Sequence, residues 1–513
     1  MANTVNNNNN NGNSAMSTTT TSSIATTAQC PEMVNEGNNI DSEEISPKIF
    51  KFFHRLAAEK GFKEYELITR PISEFGENSY GLVLQMTMKA LTSNDLEIAT
   101  SKELISIVKI SPKHPARRAQ MHVADFYAKE VLMYEQVFGE YRKLYEERLQ
   151  ALNYPNESLP FNVVPDMLYY SLEPNNEFII FEDLSISGYK TNARMQMPTY
   201  NLVMETFRSV AQLHALSFVL QARKPQKFNA LIAKIKEDLF IENMATVTVE
   251  FGKRYIKRAR NLLLQDPKHQ QKHIEILHKV EDNLCKILPD CVKGAKAAPY
   301  SVICHGDFWN NNVLYKYDIN NQAVSAKLID FQISRYSVPV LDLIHYLYTC
   351  TEKELRDKYF WEFMGAYYEA LEKHLRFYDL DVNQIYPRSI FKQQLRDYGI
   401  YGFYIAAFSI PFFISNKNEI PDFDVVADAV KSISPSSSSS ISTCSSLSSS
   451  DEELMEEYRM SNEMAHLPNE KCLEILDEYD MLTERTAPVF KKRMMGIVED
   501  LIKYEMLDNI LKL

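Results

Sequence analysis

The sequence His-Gly-Asp-Phe-Trp-Asn-Asn-Asn at residues 305–312 and the sequence Leu-Ile-Asp-Phe-Gln at residues 328–332 decide the fold class of this chain. The first places Asn312 five positions after Asp307, and the second places Asp330 at the end of an apolar strand. Mg²⁺ is a hard cation that prefers oxygen ligands from one or two protein groups. The pattern therefore predicts that Asp330 and Asn312 bind Mg²⁺, and that Asp307 accepts the proton of an attacking hydroxyl.

The spacing matches the catalytic machinery of kinases, in which H-x-D-x-x-x-x-N, a short β-hairpin and D-F-x follow one another. Two predicted strands, residues 313–317 and 326–329, supply the hairpin. Asn310 and Asn311 compete for the metal role, but only Asn312 has the required spacing. We therefore predict an α+β, two-lobed protein-kinase-like fold with a small antiparallel-sheet N-lobe and a larger, mainly helical C-lobe, using ATP and Mg²⁺.

A lysine and a glutamate precede this region in the order that kinases require. Lys109 lies late in the predicted strand 103–110, where its ammonium can reach the α- and β-phosphates of ATP. Glu130 lies on the next predicted helix, residues 121–137, and can pair with Lys109 to hold it in place. Both residues are predicted to belong to the nucleotide site.

The segment 75–81 is the candidate loop that covers the phosphates. Gly76, Asn78 and Ser79 are its predicted nucleotide-binding residues. Its glycines are sparse, so the loop is a weak motif by itself, and this could affect the affinity for the nucleotide.

Residues 178–184 are predicted to form the strand and hinge that join the two lobes. Backbone groups near Glu182 and Leu184 would bind the edge of the adenine. Asp183 has two open interpretations, a turn or helix-cap residue and a functional residue.

Composition changes along the chain predict four segments. Residues 1–44 are rich in Asn, Thr and Ser and are predicted to be a disordered tail. Residues 45–182 form the N-lobe, whose first helix is expected at Ser46-Pro47. Residues 183–513 form the C-lobe, which a serine-rich flexible loop at 432–453 interrupts. Further strands are expected at 80–88, 167–171 and 178–181, and helices over most of 198–288 and at 341–349.

The distance between two aspartates limits the kind of acceptor. Asp342, which opens the helix 341–349, lies only 12 positions after Asp330. A protein kinase needs a long activation segment at this place to dock a peptide. We therefore expect a small-molecule acceptor.

Several stretches together resemble the ecdysteroid kinase-like family, an arthropod-expanded branch of the aminoglycoside phosphotransferase and choline kinase group. The Asp-Phe-Gln with a nearby Arg-Tyr is more specific to this family than the general kinase pattern. The matching stretches are residues 77–80, 106–109, 126–130 with 133–135, 181–184 with 188–189, 213–217, 302–312, 329–336 and 341–343.

The resemblance implies ATP-dependent phosphorylation of a hydroxyl on a small molecule, such as an ecdysteroid or a foreign compound undergoing detoxification. By this resemblance Asp307 is the catalytic base, Asn312 and Asp330 bind Mg²⁺, and Lys109 binds the ATP phosphates. The Asn-rich tail and the Ser-rich insertion depart from the family pattern and leave the catalytic set intact.

Composition excludes some classes of protein. The chain has 513 residues, 45% hydrophobic and 24% charged, and a net charge of −12, which argues against coating nucleic acid or an anionic membrane. Its seven cysteines are scattered without a CxxC pair, and the N-terminus resembles no signal peptide, so we expect a cytoplasmic protein. The most apolar stretch, residues 398–415, contains Gly402, Ser409 and Pro411 and is predicted to be a buried helix rather than a membrane span.

Other polar and aromatic residues favour structural roles. His214 is predicted to be a core histidine that braces the catalytic loop, and His305 to shape that loop. Asp342 is expected to bond the loop or cap a helix. The basic stretch 253–260 is expected to be a solvated helix face rather than an anion site, and the aromatic cluster 398–413 to be core, with a steroid-binding pocket as the alternative.

Two alternatives to a steroid or xenobiotic kinase stay open. One is a kinase-fold protein without catalysis that binds a hydrophobic ligand or partner. The other is a kinase for a choline-like or aminoglycoside-like alcohol, which would need an acidic pocket for a cationic acceptor.

Overall fold

The structure is a computed structural model that describes residues 33–35, 45–72, 81–91, 103–153, 159–240, 247–264, 271–422, 424–428 and 480–507. The predicted serine-rich loop, 432–453, and the predicted tail apart from residues 33–35 lie outside these ranges. Those three residues form strand β1, Met33–Asn35, which pairs in parallel with β2, Tyr65–Pro71. The sequence patterns predicted no strand at this position.

Four further strands of the N-lobe are β3, Leu82–Ala90, β4, Glu103–Ile110, β5, Met167–Ser171, and β6, Phe178–Glu182. They confirm the predicted strands within a few residues. With β1 and β2 they form a six-stranded sheet in the order β1-β2-β3-β4-β6-β5, antiparallel except at β1.

Alternation along β4 and β6 divides the apolar side chains of the sheet between two cores. Val108 and Ile180 pack with helix α1, Pro47–Lys60, on one face. Ile107 and Ile179 belong to the core on the opposite face. Because Lys109 and Ile107 are two positions apart, Lys109 points toward that second face.

Helix α1 begins where the sequence predicts. The Ser46 hydroxyl accepts a hydrogen bond from the Lys48 N–H, and Pro47 occupies the first turn. Gly61 ends the helix in a left-handed conformation with φ of 75°.

Helices cover the second face of the sheet. They are α2, Pro115–Gln120, α3, Val123–Leu132, a π-helical turn, Met133–Val137, and α4, Phe138–Ala151. The single helix predicted at 121–137 is thus divided between α3 and the π-helical turn.

Two small sheets carry the loops of the C-lobe. One has the order β10-β9-β7, with β7, Tyr189–Thr191, β9, Val313–Tyr317, and β10, Ala323–Leu328. The other pairs β8, Val302–Cys304, with β11, Arg335–Ser337. The loops 305–312 and 329–334 therefore both connect these two sheets, the first from β8 to β9 and the second from β10 to β11.

The rest of the C-lobe is helical. The helices are α5, Tyr200–Arg223, α6, Pro225–Ile232, α7, Val247–Leu264, α8, Gln271–Val292, α9, Val340–Cys350, α10, Lys353–Phe377, α11, Val382–Ile385, α12, Arg388–Ile414, and α13, Thr486–Lys503. Of these, α12 packs against α7, α9 and α13. This architecture confirms the predicted α+β class with an antiparallel N-terminal sheet and a mainly helical second lobe.

In the described part of the chain, α12 alone is long and apolar enough to cross a membrane by length and composition. Its most apolar window is 72% buried inside the protein. Tyr401, Phe403, Tyr404 and Phe413 on this helix are buried in the main core. The prediction of a buried helix is confirmed.

Candidate active site

Lys109 is the point at which three distant elements meet. Its Nζ lies 2.7 Å from Glu130 Oε2 on α3 and 2.6 Å from Asp330 Oδ1, which follows β10. Nζ also donates to Gln332 Oε1 at 3.3 Å. The predicted ion pair between Lys109 and Glu130 is present, and the structure adds a second carboxylate.

The attraction between the Lys109 ammonium and the carboxylates of Glu130 and Asp330 is strong because Lys109 is buried. Lys109 is only 6% exposed. Burial by itself lowers the pKa of its ammonium, but attraction to Asp330 and Glu130 is larger, so the pKa is raised. Lys109 therefore carries a fixed positive charge between the lobes.

Asp330 is held in an unusual backbone conformation. Its φ is 69°, in the left-handed region that residues other than glycine seldom occupy. Its Oδ1 accepts from Lys109, and its Oδ2 accepts from Gln332 Nε2 at 3.3 Å. Strain of this kind persists only where the surroundings impose it, and it concentrates at functional sites.

Hydrogen bonds join Asp307 and Asn312 within the loop 305–312. Asn312 Nδ2 donates to the Asp307 backbone oxygen at 2.9 Å and to Asp307 Oδ2 at 3.0 Å. Neither bond uses the Asn312 amide oxygen, the atom that can bind a cation. Asn310, a competitor for the metal role, instead bonds the Asn192 side chain and the Ala193 backbone oxygen.

The carboxyl of Asp307 is basic for an aspartate. Burial, followed by the negative charge of Asp330, raises the pKa of Asp307 to about 7. The hydrogen bond from Asn312 and the positive charges of Arg335 and Lys109 act in the opposite direction. A carboxylate with a raised pKa is better suited to accept a proton than an ordinary exposed aspartate.

The donor set fits Mg²⁺. It offers the Asp330 carboxylate and the Asn312 amide oxygen, both hard oxygen ligands, and the bonds of Asn312 to Asp307 orient its amide group. These two residues could hold the ion.

Asp342, at the start of α9, braces the loop 305–312. Its Oδ2 accepts from the His305 N–H at 2.8 Å, and its Oδ1 accepts from the Gly306 N–H at 3.0 Å. His214 Nε2 lies 3.0 Å from Oδ2, and His214 Nδ1 lies 3.0 Å from the Tyr367 hydroxyl. The bracing roles predicted for Asp342 and His214 are confirmed.

His305 shapes the loop, as predicted. Its Nε2 lies 2.9 Å from the Ile329 backbone oxygen, and its Nδ1 accepts from the Asp307 N–H at 3.3 Å. Burial lowers the pKa of its imidazole, which favours the neutral form.

The hinge residues lie at the end of β6. Asp183 Oδ1 accepts from the Ser185 N–H at 2.8 Å, and Asp183 Oδ2 accepts from Gln85 Nε2 at 2.5 Å, so the turn-cap interpretation is confirmed. The Glu182 side chain accepts from the Asp166 N–H at 3.0 Å, and Leu184 is buried.

Three predicted site residues cannot be placed. Gly76, Asn78 and Ser79 lie outside the described residues. Their assignment to the phosphate-covering loop stays a prediction.

A comparison with protein-family models matches residues 76–379, more than half of the chain, to the Ecdysteroid kinase-like family. The chain belongs to the Ecdysteroid kinase-like family. The resemblance inferred from the sequence is therefore confirmed, and membership supports a small-molecule kinase.

Other comparisons add little to this assignment. No curated protein matches the chain. A solved structure that is similar is an ethanolamine kinase from Plasmodium vivax, at 13% identity over 70% of this chain and 79% of that chain, with a TM-score of 0.31. A likeness this distant carries no functional argument.

Sequence reasoning missed some contacts of this Ecdysteroid kinase-like site. The sequence pattern assigns Gln332 no role beyond its motif, yet its side chain bonds both Lys109 and Asp330. Arg335 was likewise only a motif residue, and it is buried beside Glu237 and Tyr401. The motif could have identified both residues, but no local pattern indicates their partners.

The basic stretch 253–260 on α7 was predicted to be a solvated helix face, but several of its arginines form ion pairs with neighbouring elements. Arg254 is buried, and its Nη2 lies 3.4 Å from Asp480 Oδ2. Arg258 lies 2.7 Å from the same carboxylate, and Arg260 lies 3.2 Å from Glu281. These arginines join α7 to its neighbours through ion pairs.

Gly306 is the loop position at which a side chain has no room. Its φ is 87°, and an added Cβ would lie 2.1 Å from the Ile333 backbone oxygen. We expect Gly306→Ala to lower the free energy of unfolding by more than about 1 kcal/mol, measured by urea titration. The control is Gly365→Ala in α10, where nothing lies within 4 Å and the change should stabilise by up to about 1 kcal/mol. Equal effects of the two substitutions would contradict the steric argument.

Proposed function

We propose that this protein is an ATP- and Mg²⁺-dependent kinase that transfers the γ-phosphate of ATP to a hydroxyl of a small molecule. The convergence of Lys109, Glu130 and Asp330 from three elements, beside Asp307 and Asn312, carries the proposal. Each of these residue types at these positions has a role in phosphoryl transfer.

The mechanism assigns one task to each side chain. Glu130 holds the Lys109 ammonium, which binds the ATP phosphates. Asp307 accepts the proton of the acceptor hydroxyl while that oxygen bonds the γ-phosphorus and the bond from that phosphorus to the β–γ bridging oxygen breaks. Asp330 and Asn312 would hold Mg²⁺, which neutralises phosphate charge when bound.

For the acceptor we propose a steroid-like alcohol, such as an ecdysteroid, or a xenobiotic alcohol. The match of residues 76–379 to the Ecdysteroid kinase-like family supports this acceptor class.

We also propose a cytoplasmic location. Among the described residues, Cys291, Cys304 and Cys350 are free and buried, which suits a reducing compartment. A fluorescently tagged protein should distribute with the cytoplasm.

The first experiment separates a kinase from a kinase-fold protein that binds no nucleotide. ATP with Mg²⁺ should raise the melting temperature of the parent protein, because a ligand at 100 times its Kd stabilises the folded state by about 2.7 kcal/mol. Asp330→Asn should lose most of that rise, since it removes a carboxylate from the proposed Mg²⁺ site. A rise of equal size in the variant would contradict the role of Asp330.

A matched control and an acceptor screen complete the test. Asp379→Asn makes the same chemical change in a partly exposed ion pair with Arg148 and should keep the full thermal shift. Phosphate transfer should then be measured with hydroxylated steroids, plant-type glycosides, choline and aminoglycosides. Transfer to choline or aminoglycosides alone would overturn the proposed acceptor class.

A further inference from the structure

The segment that connects α6 to α7 contacts both parts of the proposed nucleotide site. We define the α6–α7 connector as residues 233–240. Its Asp238 carboxylate pairs with Lys129, which precedes Glu130 on α3. Its Glu237 carboxylate lies 3.1 Å from Arg335 Nε, on the strand that follows the Asp330 loop.

The pair between Lys129 and Asp238 fixes the orientation of α3. Successive residues of an α-helix project about 100° apart, so anchoring Lys129 sets the direction in which Glu130 points. The Lys129 side chain is 7% exposed and that of Asp238 is 18% exposed. Removing either charge would leave its partner buried and unpaired, which destabilises this arrangement.

The other end of the connector is fixed to the C-lobe. Glu237 Oε1 accepts from the N–H groups of Leu239 and Phe240 at 3.0 and 3.2 Å, which holds its carboxylate toward Arg335. Arg335 Nη1 donates to the Tyr401 hydroxyl at 2.8 Å. The Phe240 ring also packs edge-on against Tyr401.

A third contact joins the connector to the π-helical turn that follows α3. Lys234 Nζ donates to Gln136 Oε1 at 2.9 Å, in the π-helical turn after α3. The connector therefore links α3 and the turn after it to β11 and α12.

We propose that Asp238 and Glu237 are positioning residues, which hold α3 where Glu130 meets Lys109. Neither residue touches the reacting atoms. Because the connector is bonded to the C-lobe, the ion pair between Asp238 and Lys129 holds α3 in a fixed position relative to that lobe. The kinetic part of this inference rests on the proposed kinase function, whereas the structural part does not.

Hydrogen exchange tests the structural part directly. In Asp238→Asn, amides of α3 should exchange at least about 10-fold faster than in the parent, while those of α9 stay unchanged. The control is Asp379→Asn, which breaks a partly exposed pair between α4 and the end of α10, with oxygens 2.6 and 2.7 Å from Arg148. It should leave α3 protected. Unchanged α3 exchange in Asp238→Asn would overturn the inference.

The kinetic readout separates positioning from general damage. Asp238→Asn should raise the KM for ATP about 10-fold with a smaller change in kcat, because misplaced Lys109 binds the phosphates less well. The double variant Lys129→Asp with Asp238→Lys exchanges the two charges and should bring the KM for ATP part of the way back to the parent value. Equal KM values in Asp238→Asn and the parent would contradict the positioning role.

Two further outcomes are informative. If Asp238→Asn does not fold, Lys129→Ala with Asp238→Ala removes the contact itself and leaves no unpaired buried charge. The same faster exchange of α3 is expected there. If the parent protein neither binds nor turns over ATP, the proposed function fails, while the exchange of α3 still decides the role of the connector.

Discussion

Asp307→Asn should lower the rate of phosphate transfer by about 10²- to 10⁴-fold while ATP with Mg²⁺ still raises the melting temperature. Asparagine has nearly the shape of aspartate but accepts no proton from the acceptor hydroxyl. The substitution keeps a side-chain oxygen that can accept the bond from Asn312 Nδ2, now 3.0 Å long. Transfer should be measured with saturating ATP and an acceptor found in the screen.

The control for Asp307→Asn is again Asp379→Asn, which makes the same chemical change away from the site. Its transfer rate should equal that of the parent. If Asp307→Asn turned over as fast as the parent, Asp307 would not be the base. Loss of the thermal shift together with activity would show that Asp307 acts in nucleotide binding instead.

Asp342→Asn should lower the free energy of unfolding by about 3–5 kcal/mol at pH 7. Asp342 is 1% exposed, and the loop N–H groups of His305 and Gly306 depend on it as an acceptor. The amide that replaces the carboxylate presents donor hydrogens to one of these N–H groups. Urea unfolding of the parent and the variant measures the difference.

The effect of Asp342→Asn should shrink as the pH falls. Burial by itself raises the pKa of Asp342, but the hydrogen bond with His214, the electrostatic interaction with that imidazole and the hydrogen bond from the Gly306 N–H outweigh burial, so the pKa is lowered. Because the folded pKa lies below the unfolded value, near 3.9, the stabilisation is complete above that value and is lost as pH falls through the folded pKa. The charged or titratable groups that face Asp342 in the described part of the chain include His214, Cys304, His305, Arg335, His345, Tyr367 and Tyr401.

Two comparisons check the pH argument. The difference between parent and Asp342→Asn should be larger at pH 7 than at pH 3. Asp379→Asn, in a partly exposed pair, should change stability by less than about 1 kcal/mol at either pH. A destabilisation by Asp342→Asn that did not depend on pH would contradict the ionised state of this carboxyl.

Patterns of neighbouring residues were sufficient to predict most of the strands and helices of the N-lobe. Alternation predicted β3, and the Ser46-Pro47 pair predicted the start of α1, because both depend on neighbouring residues. The spacing of Asp307 and Asn312 predicted two groups that the structure brings into contact. The order of Lys109 and Glu130 predicted an ion pair that is present.

The sequence patterns did not predict contacts between elements that lie far apart in the chain. Glu237 and Asp238 lie in a segment without a motif, and their partners are 98 residues later and 109 residues earlier in the chain. Strand β1 is three residues long and pairs in parallel, which no alternation of three positions can reveal. Such contacts depend on how the elements pack, which periodicity does not report.

The alternation along β4 restricts how relatives of this protein can vary in length. Val108 packs toward α1, whereas Lys109 points toward Glu130. A deletion that shifted the register of β4 by one residue would point the Lys109 side chain into the apolar layer around Ile49. Length differences among homologues should therefore accumulate in the 92–102 link, while the eight positions of Glu103–Ile110 remain constant in number.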